Sequence, residues 1–63
     1  MSVQNRINNE LLESGLYNAK NGLQIRLVDN QRNYEVYQDE NRIFRKGACW
    51  ATFYEVMCLV EEV

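Results

Sequence analysis

Cys49 and Cys58 are the residues of this sequence best suited to bind a soft metal ion or to undergo redox chemistry, because the sequence contains no histidine. Structural zinc takes four Cys or His ligands, so a zinc site within one chain is excluded. On a helix, nine residues advance the chain by about 13.5 Å along the axis and place the two cysteines on opposite sides. A disulfide needs Cα atoms within about 7 Å, so we expect two free thiols, which favours a reducing compartment.

The thiols and carboxylates of the sequence do not have the partners or the spacing that nucleophilic or acid–base catalysis requires. The thiols have no histidine to activate them, and Cys49 is predicted to face the core, where thiols are inert. The carboxylates fall mostly in predicted turns or on a polar helix face, without the spacing of a calcium-binding loop. We therefore predict that the protein is not an enzyme and uses no metal or cofactor.

A basic cluster of Arg42, Arg45 and Lys46 directly precedes the predicted last helix. Cations are misplaced at a helix N-terminus unless an anion binds there. In outline only, this arrangement resembles the way double-stranded-RNA-binding domains hold phosphates, and no segment matches that family's sequence. The alternative is solubilising charge on an edge strand. The net charge of −2 disfavours nucleic-acid binding, which remains the rival function.

These side chains must be positioned by a small fold, because 63 residues allow a single domain, 1–63. A stripe of apolar residues predicts a first helix over residues 2–14, with Ser2 as its N-cap and Gly15 at its end. Alternating apolar residues predict strands near 23–29, 34–38 and 42–45, after a type I′ turn at Asn21-Gly22. A fourth strand within 16–20 is left open.

The strongest periodic signal lies from Gly47 to Val63, which we interpret as an amphipathic helix that supplies most of the core. Gly47 is its predicted N-cap, and one apolar arc contains Cys49, Phe53, Val56, Val60 and Val63. The expected fold is a small two-layer α+β domain of αβββα order. Its antiparallel sheet has three strands, or four, and both helices pack on one face.

Four residues of this helix are candidates for binding a partner. Trp50, Tyr54 and Met57 lie along one edge beyond the apolar arc, and Leu59 lies near the polar side. Aromatic residues and methionine are enriched at protein interfaces. The alternative is that these aromatic side chains complete an undersized core.

Together these features predict a small protein-interaction module, a regulator or inhibitor of a larger protein, of the kind found among phage and mobile-element accessory proteins. The alternatives are a nucleic-acid or anion-binding domain using the basic cluster, and a structural homodimer. The N-terminus lacks the apolar run of a signal peptide, and no stretch is long enough to span a membrane. We therefore expect a cytoplasmic protein (in the host cytoplasm if viral) that binds a protein partner, itself, or both.

Overall fold

The computed structural model describes residues 2–62, in which one helix precedes and one helix follows the four strands of a sheet along the chain. The elements are α1 (Val3–Ser14), β1 (Leu16–Asn18), β2 (Gln24–Val28), β3 (Asn33–Gln38), β4 (Asn41–Gly47) and α2 (Trp50–Leu59). The strands pair antiparallel in the order β1-β2-β3-β4. The predicted α+β class, with a helix before and after an antiparallel sheet, is confirmed, and the sheet has four strands because the strand left open within 16–20 is present as β1.

Helix α1 is bounded by the two residues that its sequence predicts. The Ser2 hydroxyl accepts a hydrogen bond from the Asn5 backbone N–H at 3.1 Å, so Ser2 caps the first turn. Gly15 follows the last turn with φ 75°, and its N–H donates to the Leu11 carbonyl at 2.8 Å. Ile7 and Leu11 are fully buried, which fixes the helix face that packs on the sheet.

Gly15→Ala is expected to lower the free energy of unfolding by about 1–2 kcal/mol, the usual penalty for a side chain in the left-handed region. The Gly15 carbonyl accepts a hydrogen bond from the Leu27 N–H at 2.9 Å, which holds this backbone conformation against the sheet. Urea denaturation followed by circular dichroism measures the loss. Glu13→Ala, an exposed helical position nearby, serves as the control and should change little. An equally small effect of Gly15→Ala would contradict the left-handed helix end.

The sheet turns one apolar face toward both helices. Ile25 pairs with Val36 and Leu27 with Tyr34 across β2 and β3, and all four side chains are buried. Because side chains alternate between faces, the residues between them point away from the helices. The core of the described chain consists of eleven apolar side chains: Ile7, Leu11, Tyr17, Ile25, Leu27, Tyr34, Val36, Phe53, Val56, Met57 and Val60.

The turn at Asn21-Gly22 joins β1 to β2, but the predicted type I′ geometry is wrong. Only Gly22 has a positive φ, at 93°, and the Gly22 N–H donates to the Ala19 carbonyl at 3.1 Å. Asn21 stays outside the left-handed region because its side-chain oxygen accepts from the Leu23 N–H at 3.2 Å instead. Positive φ at both central residues occurs at Asp39-Glu40, between β3 and β4.

Helix α2 is shorter than the predicted range of 47–63, because it begins at Trp50 and not directly after Gly47. Gly47 is the last residue of β4, where it pairs with Asn33, so it cannot be the N-cap. The Ala48 N–H continues this contact by donating to the Arg32 carbonyl at 2.7 Å. Cys49 is the N-cap. The predicted position of Val63 lies outside the described residues.

The side chains of α2 follow the predicted arc in part. Phe53, Val56 and Val60 are buried as expected, whereas Cys49 is exposed because its extended backbone, with φ −159°, precedes the helix. Residues 50–60 supply four of the eleven core side chains, and the strands supply five. The prediction that this segment supplies most of the core is therefore wrong, because the strands and α1 together supply the other seven core side chains of the described chain.

Candidate interaction surfaces

An aromatic surface, which we define as Trp50, Tyr54 and Leu12, lies on the helical layer. The Trp50 side chain is 62% exposed and Tyr54 is 50% exposed. The Trp50 ring stands edge-on to the buried Phe53, with centroids 5.7 Å apart, and its centroid is 6.4 Å from that of Tyr54. The core ring of Phe53 thus supports Trp50 from below while leaving much of its surface in water.

A cleft of about 180 Å³ adjoins Trp50 and lies between α1 and the start of α2. Its lining carries no charged side chain: Asn8, Leu12, Leu27, Gln31, Tyr34, Ala48, Cys49 and Trp50. The Gln31 side-chain amide donates to the Leu12 carbonyl at 3.2 Å and so ties the β2–β3 loop to α1. Aromatic side chains around a charge-poor centre are typical of protein interfaces.

The four predicted partner-binding residues do not form one surface. Met57 is fully buried, because it lies one helical turn after Phe53 on the face of α2 that packs into the core. Its side chain therefore belongs to the core and adds no exposed area. Leu59 is partly exposed, but it lines a separate apolar cleft with Phe44, Glu55 and Cys58. Only Trp50 and Tyr54 remain together.

Cys49 is a free, exposed thiol at the edge of the charge-free cleft. Its Sγ lies 3.3 Å from the Thr52 hydroxyl. Hydrogen bonds with the Thr52 side chain and then its backbone lower the pKa of the Cys49 thiol below its ordinary value. The thiol has no imidazole to deprotonate it, since the sequence lacks histidine. Cys58 is also free and exposed.

The predicted basic cluster is divided between the two faces of the sheet. Lys46 pairs with the core residue Tyr34 in the register, so it lies on the helical side, where its Nζ is 3.1 Å from Glu55. Arg42 and Arg45 instead reach Glu35 on the opposite face, at 3.0 and 3.3 Å. The three cations therefore do not converge at the start of α2, and the predicted anion site is not assembled there.

The open face of the sheet carries an ordered network centred on Glu35, whose side chain is only 9% exposed. Its carboxylate accepts hydrogen bonds from the Tyr37 hydroxyl at 2.9 Å and from Arg42 and Arg45. The Tyr37 hydrogen bond is the main cause that lowers the pKa of Glu35, with the Arg42 hydrogen bond and the charges of both arginines adding to it. Partial burial opposes this shift.

Arg26 completes this network, and the sequence patterns alone did not place it there. Its guanidinium carbon lies 3.8 Å from the centre of the Tyr37 ring, a cation–π contact. Its Nε donates to the Gln24 side chain at 2.7 Å. The alternation of Ile25 and Leu27 indicated that Arg26 faces outward, but only the strand register sets it opposite Glu35. We call Arg26, Arg42 and Arg45 the arginine face.

Within residues 2–62, no three His, Cys, Asp or Glu side chains come together in a way that could hold a metal ion. No helix in that range has the length and apolar character needed to cross a membrane. Comparison with protein-family models gave no match, and neither the curated proteins nor the solved structures contained a significant match. The function of the protein must therefore be inferred from its exposed surfaces.

Proposed function

We propose that the protein is a small non-catalytic interaction module that regulates or inhibits a larger protein by binding it through the aromatic surface. The observation that carries this proposal is the exposure of Trp50, 62%, beside a cleft without charged lining residues. Leaving so large an apolar side chain in water forgoes the free energy of its burial. A partner that covers Trp50 and Tyr54 recovers that free energy.

The geometry of the aromatic surface also favours tight binding. The edge-on contact with Phe53 and the neighbouring Tyr54 ring restrain Trp50 before any partner arrives. A restrained side chain loses less conformational entropy on binding, so more of the contact energy appears as affinity. Rigid tryptophan and tyrosine residues at the centre of an interface commonly account for most of its binding energy.

Self-association through the same surface is the second candidate function. The charge-free lining of the cleft supports it, because two copies would meet there without repulsion between like charges. Sedimentation of the full chain at tens of micromolar distinguishes the two candidates. If the wild type is a dimer and Trp50→Ala is a monomer, self-association through this surface is supported. If the wild type is a strict monomer, the homodimer is ruled out, and binding of a different protein is the candidate that stands.

Trp50→Ala is expected to weaken binding of the partner by at least about thirtyfold, the effect of losing an interface hot spot. The partner is captured from a lysate of the native host, identified by mass spectrometry, and then titrated as a purified protein. The wild-type chain should bind it tightly, and the variant should bind weakly while its circular dichroism spectrum stays unchanged.

Ile43→Ala is the matched control for this experiment. Ile43 is 49% exposed but lies on β4, outside the aromatic surface, so its loss removes exposed apolar area without touching Trp50. We expect the control to bind the partner as the wild type does. Equal binding by the Trp50 variant and the control would contradict the proposal, as would equal weakening in both.

A further inference from the structure

The cleft between α1 and the start of α2 contains a polar atom that the chain itself does not satisfy. Tyr34 lines this cleft and is buried, with only 6% of the residue exposed. Among residues 2–62, its hydroxyl group makes no hydrogen bond, although its ring packs 6.3 Å from that of Phe53. Most buried hydroxyl groups in proteins are hydrogen-bonded, so this one is available to a group from outside the chain.

The Tyr34 hydroxyl faces the cleft. Every side-chain oxygen or nitrogen atom that is fully enclosed within residues 2–62 has a hydrogen-bond partner, so this hydroxyl, which has none, keeps contact with solvent. The cleft is where Tyr34 reaches the surface, because the rest of its side chain packs in the core. Burial, and to a smaller extent the Cys49 thiol, raises the pKa of Tyr34 above its ordinary value of 10.0. The hydroxyl is therefore protonated at neutral pH and can donate a hydrogen bond.

The size of the cleft selects a single side chain as its occupant. Its volume of about 180 Å³ is close to that of a cavity of about 150 Å³ that holds one benzene molecule. Pockets for drug-sized ligands and cofactors measure roughly 300–1,000 Å³. Trp50, Leu12 and Leu27 in the lining offer apolar and ring contacts. The cleft therefore fits one aromatic side chain.

The lining also restricts the polarity of the occupant. It carries no charged side chain, so a charged occupant would lose water without gaining a counter-ion. A purely apolar occupant would cover the Tyr34 hydroxyl and leave it without water or any other partner, which costs the full free energy of its desolvation. The occupant therefore needs an uncharged ring with a hydrogen-bond acceptor at its tip. Tyrosine has both, whereas phenylalanine has no acceptor and tryptophan has only a donor.

We propose that the cleft between α1 and α2 binds a tyrosine side chain of the partner protein, whose hydroxyl oxygen accepts a hydrogen bond from Tyr34. This inference rests on the proposed function, and it names the group that the partner inserts beside Trp50. A second copy of the chain is a poor source of this group. Among residues 2–62, Tyr54 is the only exposed tyrosine, and its ring already packs against Phe53 and Trp50. Moving that ring into a neighbouring cleft would break both contacts.

The test uses N-acetyl-L-tyrosinamide, an uncharged analogue of one tyrosine residue, and N-acetyl-L-phenylalaninamide, which lacks only the hydroxyl group. Each is titrated into the full, isotope-labelled chain, and nuclear magnetic resonance follows the backbone amides and the indole N–H of Trp50, the single tryptophan. We expect saturable shifts at the residues that line the cleft, with a dissociation constant on the order of 1 mM for ligands of this size. The tyrosine analogue should bind at least about fivefold more tightly, because the phenylalanine analogue leaves the Tyr34 hydroxyl without a partner.

Tyr34→Phe removes the hydroxyl group and little else. The free energy of unfolding should stay nearly unchanged, since the hydroxyl makes no hydrogen bond within residues 2–62. The two analogues should then bind the variant with nearly equal affinity. Tyr17→Phe is the matched control, because it removes a tyrosine hydroxyl from β1, outside the cleft, and should keep the preference for the tyrosine analogue.

Three results of these titrations would overturn the proposal. The first is equal affinity of the wild type for the two analogues. The second is a preference for the tyrosine analogue that Tyr34→Phe leaves in place. The third is the absence of saturable shifts at the cleft.

Binding of the purified partner separates this inference from the proposed function. Tyr34→Phe should weaken that binding by about fivefold, and Trp50→Ala should weaken it more. If only Trp50→Ala weakens it, the partner binds the aromatic surface without a tyrosine in the cleft, so the proposed function stands and this inference fails. If neither variant weakens it while the tyrosine analogue binds, the cleft takes a free ligand and both fail. If Tyr54→Phe dissociates a dimer of the chain, the occupant is a second copy, which also overturns the inference.

Discussion

Phe53→Ala is expected to lower the free energy of unfolding by about 3–5 kcal/mol, the usual cost of removing a buried phenylalanine. Phe53 is buried, and the ring centroids of Trp50 and Tyr54 each lie 5.7 Å from its own. Tyr34 adds a further ring contact from the sheet at 6.3 Å. Since a domain of 63 residues has roughly 3–9 kcal/mol of total stability, this loss removes at least about a third of the stability of the protein.

Urea denaturation followed by circular dichroism measures this loss, and two variants serve as controls. Phe53→Leu keeps most of the buried volume and should cost roughly 1–2 kcal/mol. Tyr54→Ala removes a half-exposed ring that also contacts Phe53, so it should cost less than Phe53→Ala. If Phe53→Ala were no more harmful than Tyr54→Ala, Phe53 would not be the centre of this part of the core.

The elements that could be predicted from the sequence are those specified by local patterns. Ile7 and Leu11 recur at helical spacing, and Ile25 with Leu27 alternates as a strand requires. Each pattern involves residues that are close in the chain, so no knowledge of the remaining fold is needed. Ser2 and Gly15 mark the ends of α1 for the same reason, since caps act on the adjacent turn.

The start of α2 could not be predicted because two interpretations of the same residues compete. Gly47 is an acceptable N-cap by type, but the register of β4 with β3 extends to Gly47 and takes it into the sheet. This pairing is a long-range contact that the local sequence does not encode. The helix consequently begins at Trp50, and Cys49 is outside the helical phase that would have buried it.

The candidate surfaces were predictable to different degrees. The exposure of Trp50 agrees with its predicted position beyond the apolar arc, whereas Met57, which was given the same position, is fully buried. The arginine face depends wholly on register, because Arg26 and Arg45 are far apart in sequence and meet through the intervening strand of Glu35. From the sequence alone, the neighbouring residues Arg42, Arg45 and Lys46 form one basic cluster. In the fold, Lys46 lies on the opposite face of the sheet from the two arginines.

Glu35→Gln is expected to lower the melting temperature at pH 7 more than any other single removal of a carboxylate. The native contacts with Tyr37, Arg42 and Arg45 lower the pKa of Glu35 below its reference value of 4.5. A carboxyl group whose pKa is lower in the folded state stabilises the fold above the unfolded pKa. That contribution is lost as the pH falls through the folded pKa, because the carboxylate is then protonated in both states.

Thermal unfolding from pH 7 down to pH 2 measures this effect. The melting temperatures of the wild type and Glu35→Gln should differ most at neutral pH and converge as the pH falls well below 4.5. Glu55→Gln is the matched control, because its partner Lys46 forms an exposed pair, which contributes little to stability. A difference that persists unchanged at pH 2 would show that the glutamine side chain harms packing at this position, whereas convergence shows that the stabilisation comes from the charge of Glu35.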